Sequence, residues 1–276
     1  EVPLWYALSR SLNIPSVNLY LSLDREELQL QCQLFGLPVP KEEQPSLALG
    51  SGSFSLYQMV NAFSAFANYG ELYDPVMIEE IYDRKGKLIY RHKGPDPKKV
   101  VSTDVAGKMN KILINAMNEG TGASVHNTYG VRSELAGKTG TSQDYSDAWF
   151  FAYTENLVCG VWVGAMSPSV HFRTGANGSG SRLALPIAGR MIRGMEKIPS
   201  CNHYLTGFDA SVIDSAYFAC DTLQEKTKVG KFLENVFGKK DKKEKADTIK
   251  EDKKEGKFKR FFKRLLGKDG KKKKNK

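Results

Sequence analysis

Apolar and polar positions follow two periods along this chain, and the changes of period mark its elements. Leu4 and Leu8 recur at helical spacing. Ser11-Leu12-Asn13 closes that short pattern, and Pro15 bars its continuation. Asp24-Arg25-Glu26-Glu27 reads as a capped helix start, with Leu28, Cys32 and Phe35 on one face and Gly36 as the stop. A polar, proline-bearing loop covers 38–46. Ser55 and Gln58 stand at capping-box spacing, and Leu56, Met59, Val60, Phe63, Phe66 and Ala67 then trace one buried face that ends at Gly70. Ser102 opens a further helix, with Val105, Met109, Ile112, Leu113 and Ala116 on its apolar side and Gly120-Thr121-Gly122 as its break. Residues 183–195 give another.

Elsewhere the period shortens to two. Residues 76–82 and 87–91 read as a hairpin around Asp83-Arg84-Lys85-Gly86. Residues 147–153 and 157–164 are β-rich and aromatic, joined by the polar turn Thr154-Glu155-Asn156. A strand through Lys138-Thr139-Gly140-Thr141 is expected to pair beside this second hairpin as an edge. Residues 165–182 are rich in Gly and Ser and are expected to form a mobile loop near a cleft. Helices covering a mostly antiparallel central sheet give an α+β fold, an α/β sandwich.

The edge strand carries the chemistry. Alternate side chains of a strand share a face, so Lys138 and Gly140 point one way and Thr139 and Thr141 the other. Lys138 is a point charge suited to an anion. Gly140 lets a ligand backbone lie close. The Thr141 N–H is then available to a carbonyl oxygen on which charge develops. Together they suit a peptide carboxylate whose neighbouring amide reacts. Ser11 and Asn13 add a hydroxyl and a carboxamide two residues apart at a helix end, able to face the same cleft. Each motif alone is matched by a plain structural reading, a strand-to-turn junction or a helix end; the pair favours the cleft.

At this point the chain resembles the transpeptidase domain of class A (bifunctional) penicillin-binding proteins, close to the type 1A group. The resemblance spans residues 1–196. It is carried by Ser11-Leu12-Asn13-Ile14-Pro15, Ser46-Leu47-Ala48-Leu49-Gly50-Ser51, Phe66-Ala67-Asn68-Tyr69-Gly70, Gly120-Thr121-Gly122, Gly137-Lys138-Thr139-Gly140-Thr141 and Asp147-Ala148-Trp149-Phe150. Leu12 argues against a class A β-lactamase, where Asp is expected. The resemblance implies a penicillin-binding-protein/β-lactamase-like fold and a serine D,D-transpeptidase that crosslinks peptidoglycan stem peptides through an acyl-enzyme. It also implies β-lactams as ligands of the intact protein, and the extracytoplasmic face of the bacterial cytoplasmic membrane as its place. Ser11 would pass a proton between base and leaving group, Asn13 would hold the substrate amide, and Lys138 would orient Ser11. Thr139, Gly140 and Thr141 would hold the substrate end, the two threonines binding its terminal carboxylate, and the Thr141 N–H would be half of an oxyanion site.

One departure from the family pattern matters. Its nucleophile and base lie in S-x-x-K, and no Ser of this sequence has Lys three positions later. The expectation is an N-terminally truncated piece that starts after the nucleophile, inactive alone and prone to aggregate. A D,D-carboxypeptidase, or a non-catalytic stem-peptide-binding module with a membrane-docking tail, stays open beside the transpeptidase.

Composition refines the picture at one end. Of the 276 residues, 41% are hydrophobic and the net charge is +10. Residues 224–276 hold 22 Lys/Arg against 9 Asp/Glu, whereas the rest holds 19 against 22, so the whole excess lies in the tail. The body therefore has no basic stripe for nucleic acid. The expected division is 1–196 transpeptidase part, 197–223 linker or small extension, and 224–276 basic, largely disordered tail. Within the tail, 257–267 reads as an amphipathic helix, apolar at Phe258, Phe261, Phe262, Leu265 and Leu266. An anionic membrane, an anionic wall polymer and a merely solvated tail are the alternatives. Cys32 and Cys159 read as core thiols, Cys201 and Cys220 as an open question of pairing, and no residue cluster suggests a metal or other cofactor.

Overall fold

A computed structural model describes residues 2–213 apart from positions 41, 43 and 95. It opens with α1 (Leu4–Ser9), α2 (Asn13–Ser22) and α3 (Arg25–Leu34), and a 3-10 turn over Pro45–Leu49 leads to α4 (Leu56–Ala67). Asp24 caps α3 by accepting from the N–H groups of Glu26 and Glu27. Ser55 and Gln58 form both bonds of the capping box on α4. Next come β1 (Glu71–Leu72), the antiparallel hairpin β2 (Glu80–Tyr82) and β3 (Leu88–Arg91), and β4 (Lys98–Lys99), which pairs with β1. Then α5 (Thr103–Asn118), with Ser102 accepting from the Val105 N–H, runs into the short α6 (Ser124–Asn127).

The central sheet is antiparallel, in the order β5 (Ala136–Thr141), β6 (Asp147–Tyr153), β7 (Val158–Gly164), with β5 at its edge. A single turn, α7 (Gly175–Gly178), precedes α8 (Ala184–Met195), and a 3-10 turn covers Pro199–Leu205. Side chains of β6 alternate between two cores. Phe150 and Ala152 cluster with Ala184, Leu185, Ala188 and Ile192 of α8. Phe151 and Tyr153 face the other way, where the Phe63 ring of α4 stacks on Phe151 with centroids 4.5 Å apart. The sheet is thus sandwiched between α4 and α8, the α+β arrangement expected. Helix α5 braces the edge strand and feeds both cores, Met117 into one and Leu113 and Ile114 into the other. A buried polar chain fixes its height: the Tyr153 hydroxyl donates to Asn110 Oδ1 at 2.8 Å, and Asn110 Nδ2 donates to the Phe66 carbonyl at 3.0 Å. Such a chain stabilises only if every member is satisfied, as here.

Three details differ from, or add to, the sequence reading. Pro15 does not end a helix; it sits in the first turn of α2, where its missing N–H has no intrahelical partner to lose. Cys159 is buried, but Cys32 is only half-buried, because α3 buries no residue fully. The stretch 197–213 packs onto the domain: Phe208 and Ile213 join the core beside α4 and α5, and the buried Thr154 hydroxyl donates to the Tyr204 carbonyl at 2.6 Å. Cys201 has a free thiol. Cys220 and the expected tail with its 257–267 segment lie outside the described residues.

Candidate functional site

The register of the edge strand sets the site. Lys138 lies opposite Phe151 and Gly140 opposite Trp149, whereas Thr139 lies opposite Phe150 and Thr141 opposite Ala148. Residues opposite one another share a face, so Lys138 and Gly140 belong to the α4 side of the sheet and the two threonines to the α8 side. The phase of the ladder follows from one bond, Ser142 N–H to the Asp147 carbonyl at 3.0 Å. Main-chain groups of an antiparallel strand turn alternately inward and outward. Those of Gly140 and Lys138 therefore face β6, and those of Thr139 and Thr141 face the open edge. Lys138 Nζ caps one of them, donating to the Thr139 carbonyl at 3.0 Å.

The turn between α1 and α2 meets this edge. It is a Schellman motif: the Leu12 N–H donates to the Ala7 carbonyl at 2.8 Å and the Ser11 N–H to the Leu8 carbonyl at 3.1 Å. The residue between helix and exit must be left-handed, and here it is Ser11, at φ 55°. Glycine fills this place without steric cost; a serine costs about 1–2 kcal/mol there. Such an outlier calls for a role, and Ser11 has one: its Oγ accepts a hydrogen bond from Lys138 Nζ. Lys138 is half-buried, and among the described residues no carboxylate pairs with it. Burial pushes its ammonium down to about 8. Asn13 stands two residues on, exposed at the first position of α2.

The α8 side holds two partners that sequence reasoning missed. Thr121 Oγ1 lies 2.6 Å from Thr139 Oγ1, and the Gly180 N–H donates to Thr141 Oγ1 at 3.0 Å. Each is set by a close approach only glycine allows. A Cβ on Gly120 would fall 2.3 Å from the Ser9 carbonyl oxygen, next to the bond from Thr121 N–H to that same oxygen at 3.2 Å. A Cβ on Gly180 would fall 2.4 Å from the Gly140 carbonyl oxygen, so this end of the Gly/Ser-rich stretch is pinned against the strand. The available signal was the flanking of Thr121 by glycines, which reads equally as a helix break. The structure thus brings Ser11, Lys138, Thr139 and Thr121 into one bonded group, with Thr141 beside it. No hydrogen bond joins the Asn13 side chain to them. The group offers a cation, hydroxyls and outward N–H groups along an open edge, to which an extended peptide can add as a strand.

Comparisons with known proteins bear on the family and the fold. The family model described as penicillin binding protein transpeptidase domain matches residues 4–190. Penicillin-binding protein 1A of Aquifex aeolicus is 36% identical over 192 residues, which cover 68% of this chain and 25% of the relative. The crystal structure of penicillin-binding protein 1A from Haemophilus influenzae superposes with a TM-score of 0.63 at 22% identity, covering 72% of this chain and 35% of that one. Penicillin-binding protein A from M. tuberculosis, described as a ceftriaxone acyl-enzyme complex, gives 0.59 at 18% identity, covering 70% and 48%. The chain spans about a quarter of the length of the curated relatives it matches.

Two outcomes follow from the turn and the lysine. Ser11→Gly and Ser11→Ala both remove the hydroxyl, but only glycine relieves the left-handed residue. Urea unfolding is expected to find Ser11→Gly more stable than Ser11→Ala by about 1 kcal/mol; equal midpoints contradict the Schellman assignment. The Lys138 ammonium is charged below about 8 and neutral above it. Affinity for a peptide carboxylate, read by calorimetric titration, is therefore expected to fall as pH rises through about 8, and Lys138→Met is expected to bind weakly and without that dependence.

Proposed function

The chain belongs to the penicillin-binding protein transpeptidase domain family, and on that footing we propose that it forms the substrate-holding part of a peptidoglycan D,D-transpeptidase site. One observation carries the reading: Lys138 donates to Ser11 Oγ, so the S-x-N turn and the K-T-G strand meet at a cation that pairs with no carboxylate among the described residues. A half-buried ammonium without an anion favours a ligand that supplies one. In this reading the terminal carboxylate of a D-Ala-D-Ala stem lies by Lys138, Thr139 and Thr141. The peptide backbone runs along the open edge past Gly140, and Asn13 holds the substrate amide. The outward Thr141 N–H meets the scissile carbonyl as half of an oxyanion site. Ser11, polarised by Lys138, carries a proton between base and leaving group.

The acyl-enzyme step needs a nucleophile beside a base. No Ser in this sequence has Lys three residues on, so acylation requires a nucleophile from outside these 276 residues. The chain by itself then binds stem peptides without cleaving them, which is also what a non-catalytic binding module would do. Crosslinking and carboxypeptidase outcomes diverge only at the acceptor, an amine or water. The proposed setting is the extracytoplasmic face of a bacterial envelope; no helix among the described residues is long and apolar enough to cross a membrane. The basic segment 257–267 is proposed to meet an anionic membrane or wall polymer, on its charge pattern alone.

Incubation of the purified chain with a fluorescent penicillin is expected to leave no label after denaturing electrophoresis, while a D-Ala-D-Ala peptide binds reversibly. A denaturation-resistant fluorescent band contradicts the first expectation. Equal affinity for the peptide and its C-terminal amide contradicts the carboxylate site.

A further inference from the structure

The hydrogen-bond inventory at the edge strand assigns a duty to a residue with no role so far. Thr139 and Thr141 each have one hydroxyl proton and must each give it to a carboxylate to bind one well. For Thr141 the structure settles the direction: the Gly180 N–H can only donate, so Thr141 Oγ1 accepts and its own proton is left over. Thr139 is different. Its hydroxyl lies 2.6 Å from Thr121 Oγ1, and either oxygen can be the donor. If Thr139 donates to Thr121, it turns lone pairs toward the ligand and repels an anion. If Thr121 donates, the Thr139 proton is released toward the ligand and strengthened by the bond behind it.

We propose that Thr121 is a positioning residue for carboxylate recognition, its hydroxyl donating to Thr139 so that Thr139 donates to the terminal carboxylate of a peptide. The inference rests on the reading of Lys138, Thr139 and Thr141 as the carboxylate receptor and deepens it. Thr121 is well held for the task. Its N–H is bonded to the Ser9 carbonyl at 3.2 Å, and Gly120 beside it packs onto that carbonyl at a distance no Cβ tolerates. Ser9 lies two residues before Ser11, so the loop that carries Thr121 is clamped to the turn that carries Ser11. One support therefore reaches both sides of the edge strand: Ser11 bonds to Lys138 on the α4 side and Thr121 to Thr139 on the α8 side.

The test is calorimetric titration of the whole chain with an N-acetylated peptide ending in D-Ala-D-Ala and with the same peptide as its C-terminal amide. Thr121→Val keeps the shape and removes the hydroxyl. It is expected to weaken the carboxylate peptide about three- to tenfold and leave the amide peptide unchanged, and Thr121→Ser is expected to restore binding. In a Thr139→Val background the further change Thr121→Val is expected to do nothing. Where valine unfolds the loop by circular dichroism, Thr121→Cys, a weaker donor, is expected to show a smaller loss in the same direction. Undiminished affinity in these variants, an equal loss against both peptides, or a full effect without Thr139 overturns the inference and leaves the proposed function standing. Failure of the unaltered chain to prefer carboxylate over amide overturns the proposed function, and the inference with it.

Discussion

A half-buried ammonium with no carboxylate partner among the described residues sets the terms on which this domain is arranged. Burial disfavours the charged form of Lys138, and the two bonds it makes, to Ser11 Oγ and to the Thr139 carbonyl, only partly offset the water it has lost. The fold holds it there through structure that lies far from it in sequence. Helix α5 braces the edge strand, the Asn110 chain ties α5 to β6 and α4, and Gly120 presses the end of α5 onto the end of α1. Among the described residues, the result is a charge without a carboxylate partner at a sheet edge whose outward Thr139 and Thr141 N–H groups have no acceptor. That is an unfavourable state for the empty protein, and a receptive one.

The same logic appears in the backbone. A serine occupies the left-handed place of a Schellman motif, where glycine would be more stable. On the other face, two glycines allow main chain to touch main chain so that Thr121 and Gly180 reach the strand hydroxyls. Stability is given up at Ser11 and close packing is spent at Gly120 and Gly180, all within reach of one strand. Concentrated departures from the easiest choice are what a binding site imposes on a fold.

Much of this was legible in the sequence, for identifiable reasons. The caps on α3 and α4 are local chemistry, so Asp24 and the Ser55–Gln58 pair could be read directly. The strand's two-residue period fixed which of Lys138, Thr139, Gly140 and Thr141 share a face, and the register bears that out. The meeting of Ser11 with Lys138 rested on a family likeness, since 127 positions separate them. Other features depend on long-range contact and leave little local trace. Pro15 suggested the helix break, yet the break is made by the backbone bonds at Ser11, and Pro15 begins the next helix. Thr121 lay inside a pattern already explained as a helix stop. Phe208 and Ile213 follow or lie in a turn-rich stretch bearing Pro199, Asn202 and Gly207, with no helical or strand period to signal that they enter the core.

In the proposed reading the open edge of β5 and the Ser11 turn form a single carboxylate receptor. The most direct measurement is an amide-resolved NMR titration of the chain with an N-acetylated D-Ala-D-Ala peptide. The expected result is one saturable process in which the N–H signals of Thr139 and Thr141, facing the open edge, move together with that of Ser11, while those of Lys138 and Gly140, locked to β6, move less. Shifts confined to other surfaces, or a Thr141 signal unmoved while the peptide binds, would contradict it.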